Sequence, residues 1–307
     1  MLDPGLINDM TEMLSRSLKP SQIDEIGRLL MRQYNSHEML GMAPHITVPK
    51  RRAAESLISE CIRRKNEDKL IKIIIELNES ELLGKPVVFE GIERFMNKLA
   101  DSGYVYDYRK RRLKKIKEDP ELMPNWGALR EGREYDITVA CIDIVANSLI
   151  VKKYGEKKTE QLYLKFQNLL RRVLSVYNGR IWHWAGDGCL IAFTFKKHPV
   201  RSVLFAIELQ NLLSVFNIDP DRPIREPIEL RIGMDTGRIK FSNETGTIVS
   251  ETINYAAHLE KSFTLPGSIS ISEKIWNYLP PDLQHLFINS GEFEGRRAYV
   301  SPVGNVN

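Results

Sequence analysis

From Tyr135 onward the chain alternates short apolar runs with segments of helical period, and this alternation limits its possible folds more than any other feature. "ITVACIDIV", Ile137 to Val145, is a near-continuous apolar run of strand length. "TEQLYLKFQNLLRRVLSVYNG" sets Leu162, Phe166, Leu169 and Val173 on one helical face and places Gly179 past its end. "RIWHWAGDGCLIAFTF" reads as two strands joined at Gly186-Asp187-Gly188, and "PVRSVLFAIELQNLLSVF" as a helix. The alternating strand "IELRIGMD", a glycine-bearing turn and "RIKFS" follow. "INYAAHLEKS" is expected to be a helix, "GSISIS" a strand and "RRAYVS" a last strand at the sheet edge. That order argues for an α/β or α+β sandwich with helices against one sheet.

Residues 20 to 78 read as a small helical bundle. "SQIDEIGRLLMRQY" opens with Ser21 as N-cap and Asp24 three residues on, with Ile23, Ile26, Leu29 and Leu30 at helical spacing. "RRAAESLISECIRR" repeats the pattern, as does "NEDKLIKIIIEL", with Asn66 as cap and Leu70, Ile73, Ile74 and Leu77 as its stripe. A further helix, "GIERFMNKLADSG", leads into the basic run "YRKRRLKKIK", read as a solvated helix face. After it "KEDPELMPNWGALREGREYD" has two prolines, two glycines and no periodicity, the mark of a linker. The expected division is therefore a helical domain over 1–117, a linker over 118–134 and a second domain over 135–307.

With 42% apolar and 27% charged residues the chain is not mainly disordered, and no apolar run is long enough to span a membrane. The opening "MLDPGLINDM" has no basic stretch ahead of an apolar one, so a cytoplasmic location is expected. Cys61, Cys141 and Cys189 are odd in number and widely spaced, which argues against disulfides and a zinc site. The net charge of +4 is mild, so a nucleic-acid partner is not the expectation. A DNA-binding unit made of the N-terminal region and the basic run is a third-ranked alternative.

Asp143 carries the first chemical signal. A carboxylate in "ACIDIV" is costly to bury alone, so it requires a partner, a hydrogen bond or a metal. Asp187, in the tight turn between two apolar strands, is the candidate neighbour. Two convergent aspartates bind hard cations such as Mg²⁺ or Mn²⁺, and a pair of such ions suits phosphoryl or nucleotidyl transfer. Alone, Gly-Asp-Gly is equally a hairpin turn.

Taken in order, "IDIVANS", "GRIWHWAGDGCLIAF", "LRIGMDTGRIKF" and "ETINYAAHLE" followed by "PGSISISE" resemble the catalytic domain of class III nucleotide cyclases, over roughly residues 135 to 300. The resemblance implies an α+β fold with a βαββαβ sandwich and ferredoxin-like core, preceded here by the small α-helical domain. It implies that Asp143 and Asp187, with the Ile144 backbone carbonyl, hold two Mg²⁺ or Mn²⁺ ions. Ala146, Asn147 and Ser148 would cradle the triphosphate and Arg231 would help hold it; the residue-level alternative for Arg231 is a surface pair with Glu229 or Asp235. Asn254 matches the asparagine that orients the ribose. Since family sites form between two catalytic domains, one domain per chain implies a head-to-tail homodimer.

Three positions depart from the family pattern. His183, or a residue next to it, stands where adenylate cyclases carry a base-reading lysine, Thr247 stands where an aspartate or threonine completes base reading and is an accepted variant, and His258 replaces the arginine expected after "Asn-x-Ala-Ala". Strand alternation places His183 on the face opposite Trp182 and Trp184. His258, Arg296 or Arg297 is then expected to supply the missing positive charge. The expected activity is conversion of a nucleoside triphosphate to a 3′,5′-cyclic monophosphate and pyrophosphate. The altered base readers are somewhat similar to the bacterial cyclases that make cyclic CMP or cyclic UMP in antiphage signalling. The helices ending in "RRKNEDKL" loosely resemble death-like adaptor modules of bacterial conflict systems, through which a protein partner would bind. The alternatives are an adenylate cyclase and a catalytically inactive nucleotide-binding regulator.

Overall fold

The computed structural model describes residues 3–301; residues 302–307, which close the expected second domain, and residues 1 and 2 lie outside it. The chain divides into two units between Ala128 and Leu129, inside the stretch read as a linker.

The first unit holds α1 (Pro4–Ser17), α2 (Pro20–Leu30), α3 (Ser36–Leu40), α4 (Lys50–Arg63) and α5 (Glu67–Leu77). A hairpin of β1 (Ser80–Leu82) and β2 (Lys85–Val87) follows, then α6 (Ile92–Asp101) and a second hairpin of β3 (Tyr104–Asp107) and β4 (Arg112–Lys115). Helix α2 does not start at Ser21. Pro20 takes the first helical position, where its fixed φ suits the helix, and the Lys19 N–H donates to Gln22 Oε1 at 3.0 Å. Helix α5 follows Asn66 as expected, yet buries Leu70, Ile71, Ile74 and Ile75, a stripe rotated from the expected one. The basic run is not a helix face. Asp107 Oδ1 accepts from the N–H groups of Arg109 and Lys110, both at 3.0 Å, and so folds the chain into a tight turn. Tyr106 is buried under the hairpin with its hydroxyl on Glu76, and Arg111 forks onto the same carboxylate at 3.0 and 2.9 Å. Trp126, in the supposed linker, is fully buried.

The second unit contains β5 (Glu134–Ile144), α7 (Asn147–Tyr154), α8 (Glu156–Tyr177), β6 (Gly179–Ala185), β7 (Gly188–Phe193), α9 (His198–Ile218) and β8 (Leu230–Lys240). These are followed by α10 (Glu251–Ser262), β9 (Ile269–Ser272), α11 (Glu273–Tyr278), α12 (Pro281–Gln284), β10 (Ile288–Phe293) and β11 (Arg296–Val300). Among the described residues they make a seven-stranded sheet of order β10-β11-β9-β8-β5-β7-β6. The inner run β8-β5-β7-β6 is antiparallel and closes a βαββαβ unit, the ferredoxin-like core expected from the sequence. β9 lies parallel to β8 and makes the sheet mixed.

Helices α8 and α9 cover one face, where Ile142, Ile144, Phe166, Leu170, Phe193 and Phe205 belong to the main core. Helix α10 covers the other face, over β8 and β5. Two glycines of β8 permit that approach. A Cβ on Gly233 would sit 2.3 Å from the Glu260 nitrogen, and one on Gly237 would sit 2.5 Å from Thr252 Oγ1. The expected turn around Gly237 is therefore absent, and β8 runs straight through it. β11 is not the edge strand either. β10, exposed along most of its length and without an apolar signal in the sequence, lies outside it.

Candidate active site

Asp143 stands one residue from the end of β5, opposite Gly188 on β7 and Arg231 on β8. The β6–β7 turn brings the Asp187 carboxylate up to it. Burial raises the Asp143 carboxyl above its ordinary value; the facing Asp187 charge adds to this, while Arg231 opposes it. Arg231 Nη2 meets Asp143 Oδ2 at 2.5 Å and its Nε meets Glu260 Oε1 at 2.8 Å. The alternative reading of Arg231 paired it with Glu229 or Asp235. The pleat instead points the guanidinium across the sheet to β5 and up to α10. Burial also raises the Glu260 carboxyl, as does the nearby Asp143 charge.

The donor set suits a hard dication. Asp143 and Asp187 repel one another when both are ionised, and a cation between them removes that repulsion. Ile144 is buried and pairs with Leu230 on β8. Among the described residues no group of three or more His, Cys, Asp or Glu gathers as a closed cage. Two carboxylates form an open set, as Mg²⁺ uses when phosphate oxygens and water complete its shell.

Directly after β5 the chain turns at Ala146, whose φ of 54° is left-handed, and enters α7 at Asn147. The first-turn N–H groups of a helix have no intrahelical acceptor, and here they open beside the two aspartates. Ser148 is exposed there, and Asn147 Oδ1 accepts from the Tyr163 hydroxyl of α8 at 2.5 Å. Burial raises the Tyr163 phenol, and the charges of Asp187 and Asp143 add to the shift. Tyr163 and Glu260 carry no sequence signal, since each acts through contacts between elements distant in the chain.

His183 does not oppose Trp182. The β6–β7 register slips between Ile181 and His183, so Ile181 and Trp184 both reach the core side, with Trp184 6.2 Å from Phe166. Trp182 packs instead on Phe241 at 5.9 Å. A bulge inserts one residue and breaks the period of two, which no sequence rule foresaw at this point. His183 is exposed and lies against the one-turn 3₁₀ segment Thr245–Thr247; a Cβ on Gly246 would be 2.7 Å from its Nδ1. The structure thus brings His183 and the Thr247 turn together. Thr245, which sequence reading passed over, fastens that turn by donating to the Trp182 carbonyl.

Asn254 and His258 are exposed one helical turn apart on α10 and line a groove with Glu251, Tyr255, Glu294 and Arg296. His258 Nδ1 meets Glu294 Oε1 at 2.7 Å. Arg296, at the start of β11, pairs with Glu251, lies 3.6 Å from Asp235 Oδ2 and stacks 4.7 Å over Tyr255. Asp235 is fully buried, which raises its carboxyl, and it accepts from Ser272 Oγ at 2.5 Å. Arg297 points elsewhere, 3.6 Å from Glu273. The predicted residues therefore fall into three groups: the aspartate cleft with Arg231 and the phosphate loop, the His183 and Thr247 corner, and the Asn254 groove.

No protein-family model matches the chain. A stretch of 157 residues, 51% of the chain, is 28% identical to "Putative adenylate cyclase 3" of Rhizobium meliloti (strain 1021), of which it spans 25%. That name agrees with the resemblance carried by the four motifs. Similar solved structures include the guanylate cyclase domain of RhGC from Catenaria anguillulae, 19% identical with a TM-score of 0.47 over 56% of this chain and 98% of that one. The adenylyl cyclase CyaB from P. aeruginosa is 21% identical, with a TM-score of 0.48 over 55% of this chain and 95% of that one.

Proposed function

We propose that the chain is a nucleotidyl cyclase that converts a nucleoside triphosphate to its 3′,5′-cyclic monophosphate and pyrophosphate. The observation that carries this reading is the convergence of Asp143, Asp187 and Arg231 beside the helix entry at 146–148. Asp143, Asp187 and the Ile144 carbonyl would hold Mg²⁺ or Mn²⁺, which supplies Lewis-acid polarisation of phosphoryl oxygens when bound. The 146–148 N–H groups and the Ser148 hydroxyl bind the β- and γ-phosphates, and Arg231 neutralises them. Asn254 orients the ribose. The 3′-oxygen then forms a bond to the α-phosphorus while the bond from that phosphorus to the bridging oxygen breaks. Pyrophosphate leaves with the electron pair, and the 3′-hydroxyl proton passes to water.

Charge growing on the α-phosphoryl needs a fixed cation. Arg296 fits that role better than His258, because its guanidinium is always charged and is fixed between Asp235, Glu251 and the Tyr255 ring. The aspartate cleft and the Asn254 groove are separate groups, which supports a homodimer whose sites each take one group from either copy. His183 beside the Thr245–Thr247 turn supports a base other than that of lysine-bearing adenylate cyclases, and we favour a pyrimidine. A role in antiviral signalling, with the first unit docking a protein partner, accords with such a product.

The test is incubation with Mn²⁺ and ATP, GTP, CTP or UTP separately, with products read by mass beside Asp143→Asn. A cyclic monophosphate from one triphosphate, absent with the variant, is the expected result. Nucleotide binding with no cyclic product from any of the four would replace the proposal with the regulatory reading, which the His258–Glu294 pair favours.

A further inference from the structure

Arg231 is committed before any ligand arrives. Its two edges hold two carboxylates from different elements, Asp143 of β5 and Glu260 of α10, with all three side chains largely shielded from water. The position of Glu260 is built in. Gly233, two residues along β8 from Arg231, has no Cβ, and the Glu260 backbone fills that space. With Asp143, Asp187 and Glu260 ionised, the cleft holds three negative charges and one positive, a net −2 that one dication neutralises. A cation that takes Asp143 Oδ2 competes with Arg231, which already holds that oxygen. Once displaced at Nη2, the guanidinium is still held at Nε by Glu260.

We propose that Arg231 is an internal counter-ion that a divalent cation displaces from Asp143, and that Glu260 is a positioning residue that holds the displaced guanidinium for the triphosphate. Metal entry and triphosphate binding are thereby coupled through one side chain. The proposal rests on the cyclase reading in taking Asp143 and Asp187 as the metal carboxylates and a triphosphate as the ligand that Arg231 meets.

The experiment is a Mn²⁺ titration of the full chain without nucleotide, followed by electron paramagnetic resonance, with thermal unfolding as the check on folding. Arg231→Gln removes the competitor, so Mn²⁺ is expected to bind about tenfold more tightly, the scale of one charge-assisted hydrogen bond. Glu260→Gln frees Arg231 to give both edges to Asp143, and binding is expected to weaken by about the same factor. The double variant is expected to match Arg231→Gln, because Glu260 acts only through Arg231. In turnover, Glu260→Gln is expected to raise KM for the triphosphate with little change in kcat, and Glu260→Asp, which keeps the charge, to fall between it and wild type.

Unchanged Mn²⁺ affinity in Arg231→Gln would overturn the counter-ion role. Equal weakening by Glu260→Gln with and without Arg231 would show a plain field effect and overturn the positioning role. If Glu260→Gln does not fold, the Arg231→Gln and Glu260→Asp arms still decide. Asp143→Asn separates the two levels: if it binds Mn²⁺ as wild type does, the metal assignment itself fails, whatever the other variants show.

Discussion

Arg296 is held from three sides, by buried Asp235, by Glu251 and by the Tyr255 ring, and this grip is what suits it to meet developing charge. A fixed donor of that kind is worth about 10²–10³ in rate. Arg296→Gln is therefore expected to lower kcat about 10²-fold with KM nearly unchanged, and His258→Gln to cost less, as steady-state kinetics on the accepted triphosphate would show. A larger loss at His258 would return the role to that residue. At this scale the sequence is readable where burial makes a residue expensive. Asp143 in an apolar strand had to have a partner, and its neighbour Asp187 was found from the turn between two strands. Glu260, Tyr163 and Thr245 were invisible because their partners lie 29, 16 and 63 residues away. Trp182 was placed on the face opposite His183 because a bulge leaves no mark in composition.

Helix α10 carries both Asn254 and Glu260, and its seat on β8 depends on the missing side chain at Gly233. Gly233→Ala brings a Cβ to 2.3 Å from backbone that cannot swing aside, so α10 must shift. Overpacking of that kind costs about 1–3 kcal/mol, and chemical denaturation should show a lower midpoint together with weaker turnover. A variant as stable as wild type would mean that α10 is not seated this way. Helix α9 begins with His198, whose Nδ1 lies 2.7 Å from Thr138 Oγ1; burial takes its imidazole from the ordinary 6.5 down to about 4. The folded value is the lower one, so as pH falls the unfolded chain takes up the proton first. The stability linked to neutral His198 is whole above pH 6.5 and is lost progressively toward pH 4. The loss is at most about 3 kcal/mol. Thermal unfolding from pH 7 to 4 is expected to fall more steeply in wild type than in His198→Gln; parallel profiles would exclude this histidine. Elements with a clear apolar pattern, α8, α9, α10 and β5, were legible, while β8 was read as two pieces parted at Gly237. β10 and the β3–β4 hairpin were not legible, since one is apolar only at its two ends, Ile288 and Phe293, and the other is set by a single Asp107 turn.

For the whole molecule, the boundary between Ala128 and Leu129 separates a mainly helical unit with two hairpins from the unit that carries every proposed site residue. Among the described residues no helix is long and apolar enough to cross a membrane. The order of the four motifs made the βαββαβ core readable before any coordinates. How the site residues divide into groups was not, because that depends on which side chains share an end of the sheet. The central claim is that the aspartate cleft of one copy works with the Asn254 groove of another. Its most direct test mixes two variants, Asp143→Asn and Asn254→Ala, each inactive alone, under conditions that let subunits exchange. Half of the dimers then carry one intact site, so a return to about a quarter of wild-type cyclic product is predicted. Two folded variants that exchange subunits and still give no product in the mixture would contradict the split site.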